Sequence, residues 1–461
     1  MLNTIKSSIG VVGLAVMGAN IARNFASKEY KTSVYNRTFA RTQELVNEFP
    51  DHLDGFEELK DFVESLELPR KIIVMVKSGQ PVDELIIELL KYVDQDDIII
   101  DCGNSYWKDT QRRQEQLKHK VHFIGCGVSG GSLGALHGPS IMPGGEKHVV
   151  DQLLPYLRHV VAKDFLLNPC VSNIGEGAAG HFVKMVHNGI EYALMQSIAE
   201  IYNILRSNKY SNEHMRIVFS KLNQGNLQSY LLDITEDILE SKIENGDYLL
   251  DLVLDKAESK GTGGWTVISA IELGVSIPSL SSALFARYAN SQDHITTMIH
   301  PIYENLSSQD NLDSTIDEFS KILELNFFAS YIQGFELIQK ASDEYSWKVD
   351  IHEVLRVWEG GCIIRSQMIS TLQSYIKLNK TLQIDFLTKY AQYIPKIRHF
   401  ISQTRVSMAT TNASLDYILT FLAPRLPTNL IQAQRDYFGE HTYVRIDSGD
   451  TVTGGWNKSK G

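Results

Sequence analysis

Residues 7–28, SSIGVVGLAVMGANIARNFASK, decide the fold: an apolar run, a glycine turn and a helical pattern follow one another without a break. The turn reads Gly13-x-Ala15-x-x-Gly18. In a G-x-A-x-x-G turn the first glycine permits the sharp bend, and the small alanine lets backbone approach a pyrophosphate. The last glycine lets the helix lie against the strand. The helix N-terminus then faces the phosphate. Alone the motif is weak. Its place after the first strand and at the opening of the first helix strengthens it, so Gly13, Leu14, Ala15, Val16, Met17 and Gly18 are the expected cofactor loop.

The next strand, KTSVYNRT, ends in Asn36-Arg37-Thr38. An acid at this place binds the ribose 2′-hydroxyl of NAD, whereas an arginine accommodates a 2′-phosphate. With Arg37 and a hydroxyl and no acid, NADP is favoured over NAD. Further apolar runs follow at KIIVMVK, DIIIDCGN and VHFIGCGVSGG, separated by helical patterns at 81–92 and 106–118. Continuous apolar strands alternating with helices predict a parallel sheet covered on both faces. Ligands of such sheets sit beyond the strand carboxyl ends. That places Val76, Lys77, Asn104, Ser129, Gly130 and Gly131 along one crevice.

From residue 177 to 424 the pattern is mainly helical. Within it, GHFVKMVHNGIEYALMQSIAEIYNIL carries Lys184, His187, Asn188 and Glu191 on one stripe. Lys184 and Glu191 stand roughly 10 Å apart along the axis at 1.5 Å per residue, so they do not simply pair. A solvated polar face would be the bland reading. The apolar residues interleaved on every side instead predict half-buried groups, with burial lowering the lysine pKa and raising that of the glutamate. A substrate along the stripe would meet a base at one end and an acid at the other. A fainter echo matches Asn188-Gly189-Ile190-Glu191 to Gln333-Gly334-Phe335-Glu336, either a degenerate duplication or a chance likeness.

The bulk numbers agree with a globular enzyme and exclude several classes. A chain of 461 residues has room for two or three domains. A net charge of −11 gives no general pull toward nucleic acid. The four cysteines are scattered without metal-ligand spacing and read as reduced thiols, so no metal is expected. No apolar run reaches the ~18 residues of a membrane span. No signal peptide is expected either, and the cytoplasm is the expected compartment. Local cations recur at SKGTGGWT (Lys260, Thr262), LFARYAN (Arg287) and QAQRDYFGEHTY (Arg435, His441). The last segment is rich in Gly, Pro, Ser and Thr yet holds Tyr437, Phe438, Tyr443 and Trp456. Such aromatics predict that it packs on its own domain or on a partner. The expected architecture is an α/β Rossmann-type domain at 1–177, an all-α domain at 178–430 and an extended C-terminal tail at 431–461.

The stretches GLAVMG, NRT, GNS, GVSGG, GPSIMPGG, GAAGHFVKMVHNGIEY, SKGTGGWT, GGCIIRS and NLIQAQRDYFGEHTY span nearly the whole chain. Together and in order they resemble the 6-phosphogluconate dehydrogenase family, decarboxylating NADP enzymes of the pentose phosphate pathway and gluconate utilization. The resemblance implies that Lys184 takes the proton of the 3-hydroxyl as hydride leaves C3. The keto acid then loses carbon dioxide, and Glu191 protonates C1 of the enediol to give ribulose 5-phosphate. It implies that Asn104, Ser129, Gly130, Gly131, His187 and Asn188 hold the carboxylate and hydroxyls. Tyr192, Lys260, Thr262, Arg287 and Arg435 would hold the phosphate. In a homodimer, Arg435 and His441 would reach the neighbouring subunit's site.

The chain departs from the family pattern at Gly264, Leu194, Ser132, Asn226 and Gln228, where charged residues are usual, and its end is short. A related β-hydroxyacid dehydrogenase would share the first domain and the lysine without needing Lys260, Arg287 and Arg435. A sensor that binds without turnover would need neither Lys184 nor Glu191.

Overall fold

The strand Ile9–Val12 (β1) is buried along its whole length because it lies mid-sheet. The computed structural model describes residues 6–289, 316–377 and 388–456. After β1 come Thr32–Tyr35 (β2), Leu53–Phe56 (β3), Lys71–Val74 (β4), Ile98–Asp101 (β5), His122–Ser129 (β6) and Ser140–Gly144 (β7). They form one sheet in the order β3-β2-β1-β4-β5-β6-β7. All neighbours are parallel except β6 and β7. Alternate residues feed two cores: Ile9, Val11, Ile73, Ile98 and Ile100 on one face, Val12, Ile72, Val74 and Ile99 on the other. The order reverses between β1 and β4, and the crevice of a doubly wound sheet opens at such a point. Two strands escaped the sequence reading: short β3, with its central glycine, and antiparallel β7, whose SIMPG lacks a strand's usual apolar run.

Beyond the sheet, the 29-residue helix Ala179–Ser207 is the axis of the helical region. It lies against β6 through backbone, because four glycines meet there. A Cβ on Gly180 would stand 2.3 Å from Gly125 O and 2.4 Å from Met142 O, and one on Gly127 would stand 2.4 Å from Lys184 Cβ. The 30-residue helix Ile316–Tyr345 covers the other side, with Gly334 giving room to Ile190. The echo seen in the sequence therefore falls on two long helices packed together. Its second copy has a structural role: buried Gln333 accepts from Ser279 N at 2.9 Å and donates to Ser279 Oγ at 2.8 Å. That bond holds the first turn of the Pro278–Ala289 helix, which carries Arg287.

The close approach at Gly180 gives a first prediction. Gly180→Ala forces a methyl against backbone that cannot swing aside, so a stability loss of about 1–3 kcal/mol is expected, as for an overpacked core. The measurement is the urea midpoint at constant slope. An unchanged midpoint would mean that the helix can stand off from β6.

The chain divides into two compact units, with the break between Ser414 and Leu415. The second unit holds the helix Thr428–Gly439 and a hairpin of Tyr443–Val444 (β8) and Thr451–Val452 (β9). Its centre is the buried carboxylate of Asp436, which accepts from Thr453 Oγ1, Gly454 N, Trp456 Nε1 and Thr442 N. These bonds, with that from Thr453 the strongest, hold the Asp436 pKa down at about 2. The tail is therefore a folded unit rather than a loose extension.

Candidate active site

The glycine turn behaves as its residue types dictate. Gly13 takes φ +94°, and a Cβ there would meet Met75 O at 2.6 Å. A Cβ on Gly18 would lie 1.9 Å from Gly13 O, so only glycine lets the helix start so close to the strand. Ala15 precedes the Val16–Ser27 helix, whose first turn has no side-chain cap. Its leading N–H groups, with the positive end of the helix dipole, fit an anionic pyrophosphate. Asn36 ties the end of β2 to this turn, accepting from Leu14 N at 3.1 Å. Beyond it Arg37 and Thr38 are exposed, as are Lys77 and Asn104 after β4 and β5. Val76 is partly covered.

Facing the crevice, the stripe on the long helix forms one network. Lys184 Nζ donates to Asn188 Oδ1 at 2.7 Å and lies 3.2 Å from His187 Nδ1. His187 Nε2 is 3.0 Å from Ser129 Oγ at the end of β6. Ser129 Oγ also accepts from Ile363 N at 3.4 Å. His187 Nδ1 lies 3.2 Å from Asn188 Oδ1, an acceptor, so the imidazole proton is placed on Nδ1 and the Ser129 hydroxyl donates to Nε2. This tautomer is assigned from the network. Glu191 Oε2 stands 3.8 Å from His187 Nδ1.

The sequence predicts half-buried polar groups here, and burial goes further. Lys184, His187 and Asn188 are 6%, 0% and 8% exposed, whereas the Glu191 side chain keeps 22%. Glycines on both sides bring strand and helix into backbone contact, which removes the water expected along the stripe. Burial pushes the Lys184 pKa below its ordinary value, against the opposing pull of Glu191 and Cys362. Burial, helped by the neighbouring lysine charge, pushes His187 well down. Glu191 moves up, again through burial, with Lys184 and Arg287 opposing. The lysine and the glutamate are thus both shifted toward their neutral forms, a condition that suits proton transfer in either direction near pH 7.

One turn along, the Arg287 guanidinium stacks on the Tyr192 ring at 3.5 Å. Tyr192 Oη donates to Ser259 Oγ at 3.2 Å, beside Lys260 and buried Thr262 at the start of the Thr262–Leu273 helix. These four expected phosphate ligands therefore lie along one edge. Gly130 and Gly131 take φ +127° and +63°. Arg435 and His441 are exposed on the second unit. Of the departures, Leu194 is buried and Ser132 O accepts from Asn20. Asn226 accepts from Thr371, and Gln228 is exposed. A Cβ on Gly264 would have Tyr288 Oη at 3.7 Å, ordinary contact.

Sequence reasoning assigned no role to the segment after the Ile351–Trp358 helix. Gly361 O closes over Gly130, where a Cβ would meet it at 2.3 Å. The Trp358 ring stands edge-on to His187 at 5.5 Å. The Gly-Gly pair in GGCIIRS was the available signal. A cavity of about 650 Å³ lies at the His122 end of β6, away from Ser129, and none of the site residues lines it.

Residues 8–175 match the NAD binding domain of 6-phosphogluconate dehydrogenase, and residues 180–456 match that enzyme's C-terminal domain. The chain belongs to the 6-phosphogluconate dehydrogenase family. It is 42% identical to the decarboxylating 6-phosphogluconate dehydrogenase of Escherichia coli (strain K12), over 96% of this chain and 97% of that one. The corresponding enzyme of Buchnera aphidicola from Acyrthosiphon pisum is also 42% identical, over 98% and 100%. The 6-phosphogluconate dehydrogenase of Plasmodium falciparum, described in apo form and in complex with its cofactor NADP+ and its substrate 6-phosphogluconate, superposes with a TM-score of 0.91. It is 37% identical, over 97% of this chain and all of that one. Family membership accounts for the order of the motifs, from the glycine turn to the Arg435 helix.

Proposed function

We propose that this chain oxidises and decarboxylates 6-phosphogluconate to ribulose 5-phosphate and carbon dioxide with NADP as oxidant. The observation that carries this reading is the pair on the long helix: a buried lysine with lowered pKa and a glutamate with raised pKa, beside Ser129 and Arg287. Gly13, Leu14, Ala15, Val16, Met17 and Gly18 would cradle the pyrophosphate, Asn36, Arg37 and Thr38 the 2′-phosphate, and Val76, Lys77 and Asn104 the nicotinamide half. When bound, NADP accepts the hydride from C3 of the substrate.

Neutral Lys184 removes the 3-hydroxyl proton, so C3 becomes a ketone β to the carboxylate. The bond to the carboxylate then breaks, its electron pair moves into the new enediol, and Lys184 returns the proton to the C3 oxygen. Glu191 protonates the former C2, now C1 of the product, while Lys184 takes the proton back from the neighbouring enol oxygen on the former C3, so that the former C3 becomes the ketone of ribulose 5-phosphate and the balance closes. Asn104, Ser129, Gly130, Gly131, His187 and Asn188 would orient the carboxylate and hydroxyls. Tyr192, Lys260, Thr262 and Arg287 would hold the phosphate. Charge-assisted bonds of this kind contribute about 1.5–3 kcal/mol each.

A homodimer with Arg435 and His441 lent to the partner's site fits the second unit, which exposes Leu430, Ile431, Phe438 and Ile446 beside Arg435. Such a face is usual for a surface that a partner covers. The functional division would follow 1–177, 178–430 and 431–461. No helix among the described residues is long and apolar enough to cross a membrane, which suits a cytoplasmic enzyme of the pentose phosphate pathway.

The test is NADPH formation with 6-phosphogluconate against 3-hydroxyisobutyrate. Preference for the unphosphorylated acid would replace this reading with a β-hydroxyacid dehydrogenase, and NADP binding without any turnover would replace it with a sensor. Cofactor choice gives a second prediction. Arg37→Asp places an anion where the 2′-phosphate would sit, and loss of a charge-assisted contact of about 1.5–3 kcal/mol corresponds to roughly 10–150-fold weaker NADP binding. NAD affinity should hold or rise. Equal loss for both cofactors would remove Arg37 from the 2′-phosphate site.

A further inference from the structure

Asn104 is exposed at the crevice, yet both residues flanking it are held from beneath by one carboxylate. Asp101, the last residue of β5, is 0% exposed. Its Oδ1 accepts from Gly103 N at 3.0 Å and its Oδ2 from Ser105 Oγ at 2.6 Å. Fixing residues i+2 and i+4 leaves the backbone at i+3 almost no freedom, so the direction in which Asn104 projects is set by Asp101. Gly103 is wedged as well: a Cβ there would lie 3.2 Å from both Asp101 Oδ1 and Val76 O.

A buried guanidinium extends this clamp to the other crevice loop. Arg113 is 1% exposed and lies 3.5 Å from Asp101 Oδ2. Its Nε donates to Asp83 Oδ1 at 2.8 Å, and its Nη2 donates to Gly79 O at 2.9 Å. Gly79, at φ +90°, precedes the Gln80–Leu89 helix and closes the loop that begins with Lys77. The 77–79 and 103–105 loops leave adjacent strands, and one side chain reaches both.

A buried ion pair is an ordinary structural feature, and such pairs rarely add net stability over apolar packing. Here every side-chain hydrogen bond of Asp101 goes to the 103–105 segment or to Arg113. Those of Arg113 go to Asp101, to Gly79 at the end of the neighbouring loop and to Asp83 in the first turn of the helix that follows it. The Asp83 contact also ties the Trp107–Leu117 helix, which carries Arg113, to the Gln80–Leu89 helix, while the Asp101 side chain and Gly79 O bring both crevice loops onto the same guanidinium.

We propose that Asp101 and Arg113 are positioning residues that hold Asn104 toward cofactor and substrate and lock the 77–79 loop to the 103–105 loop. This rests on the assignment of Asn104 and Lys77 to the NADP and substrate site. The test is a double-mutant cycle of Asp101→Asn with Asn104→Ala, read in NADP Kd, in kcat/KM for 6-phosphogluconate and in Tm. Asp101→Asn leaves Arg113 paired with Asp83. Alone it should raise NADP Kd roughly tenfold and lower kcat/KM roughly 10–100-fold. In the Asn104→Ala background both effects should shrink to about threefold or less, because residues acting through one another couple.

Ser105→Ala removes a single hydroxyl and leaves the ion pair in place, so it serves if Asp101→Asn does not fold. It should show the same pattern at roughly three- to tenfold. Losses that simply multiply in both backgrounds, or a fall in Tm with NADP Kd unchanged, would overturn the proposal. Wild type that binds NADP but forms no NADPH would overturn the proposed function instead, and the Kd cycle would still decide this inference.

Discussion

Lys184→Ala is expected to lower kcat by about 10²–10⁴-fold, the usual share of a positioned general base, while leaving NADP affinity within a factor of about two because the side chain lies outside the glycine-turn cradle. The size of the effect follows from burial. A lysine at the surface would be protonated at neutral pH and useless as a base, whereas Lys184 is 6% exposed and its pKa is lowered by that burial. Its amine is also held in place by Asn188 Oδ1 at 2.7 Å, so little reorganisation precedes proton transfer. The measurement is initial-rate NADPH formation alongside NADP binding by fluorescence. Turnover within tenfold of wild type would move the base elsewhere. Arginine at this position is not a conservative control, since it stays protonated.

Glu191→Gln is expected to separate the two halves of the reaction. Hydride transfer needs Lys184 alone, so the first turnover should still produce NADPH as a burst. Protonation of C1 loses its acid, so the steady state should fall by about 10²–10⁴-fold. The pH dependence carries a sign that can be worked out. Lys184 must be neutral, so its lowered pKa sets the limb on which rate rises with pH. Glu191 must be protonated, so its raised pKa sets the limb on which rate falls. Glu191 also holds the lysine charge in place and so keeps the Lys184 pKa higher than burial alone would. Removing that charge should shift the rising limb of the burst rate toward lower pH. A slowed reaction with no burst would place Glu191 before hydride transfer, and a rising limb that moves to higher pH would contradict the electrostatic coupling.

Much of this site was legible because it is written in short spacings. The glycines of the first turn, the absence of an acid after β2 and the stripe at 184, 187, 188 and 191 each depend on a few neighbouring residues and on helix or strand geometry. What was illegible is of another kind. Ser129 meets His187 across 58 residues of chain. Ile363 and Gly361 close over the end of β6 from more than two hundred residues away. The faint duplication could not show that Gln333 anchors the Arg287 helix while Asn188 orients a lysine. That distinction depends on which neighbour each amide faces.

By itself, then, the sequence determined the doubly wound first domain, the helical remainder, the glycine turn and the polar stripe, because local backbone sterics and hydrophobic periodicity act over a few residues. The tertiary structure alone decided how deeply Lys184 is buried, which tautomer His187 holds, that Arg287 stacks on Tyr192 and that Asp101 with Arg113 clamps the Asn104 loop. Those properties depend on desolvation and on contacts between segments far apart in the chain. They exist only once the glycine-lined faces of β6 and the long helix have closed on each other.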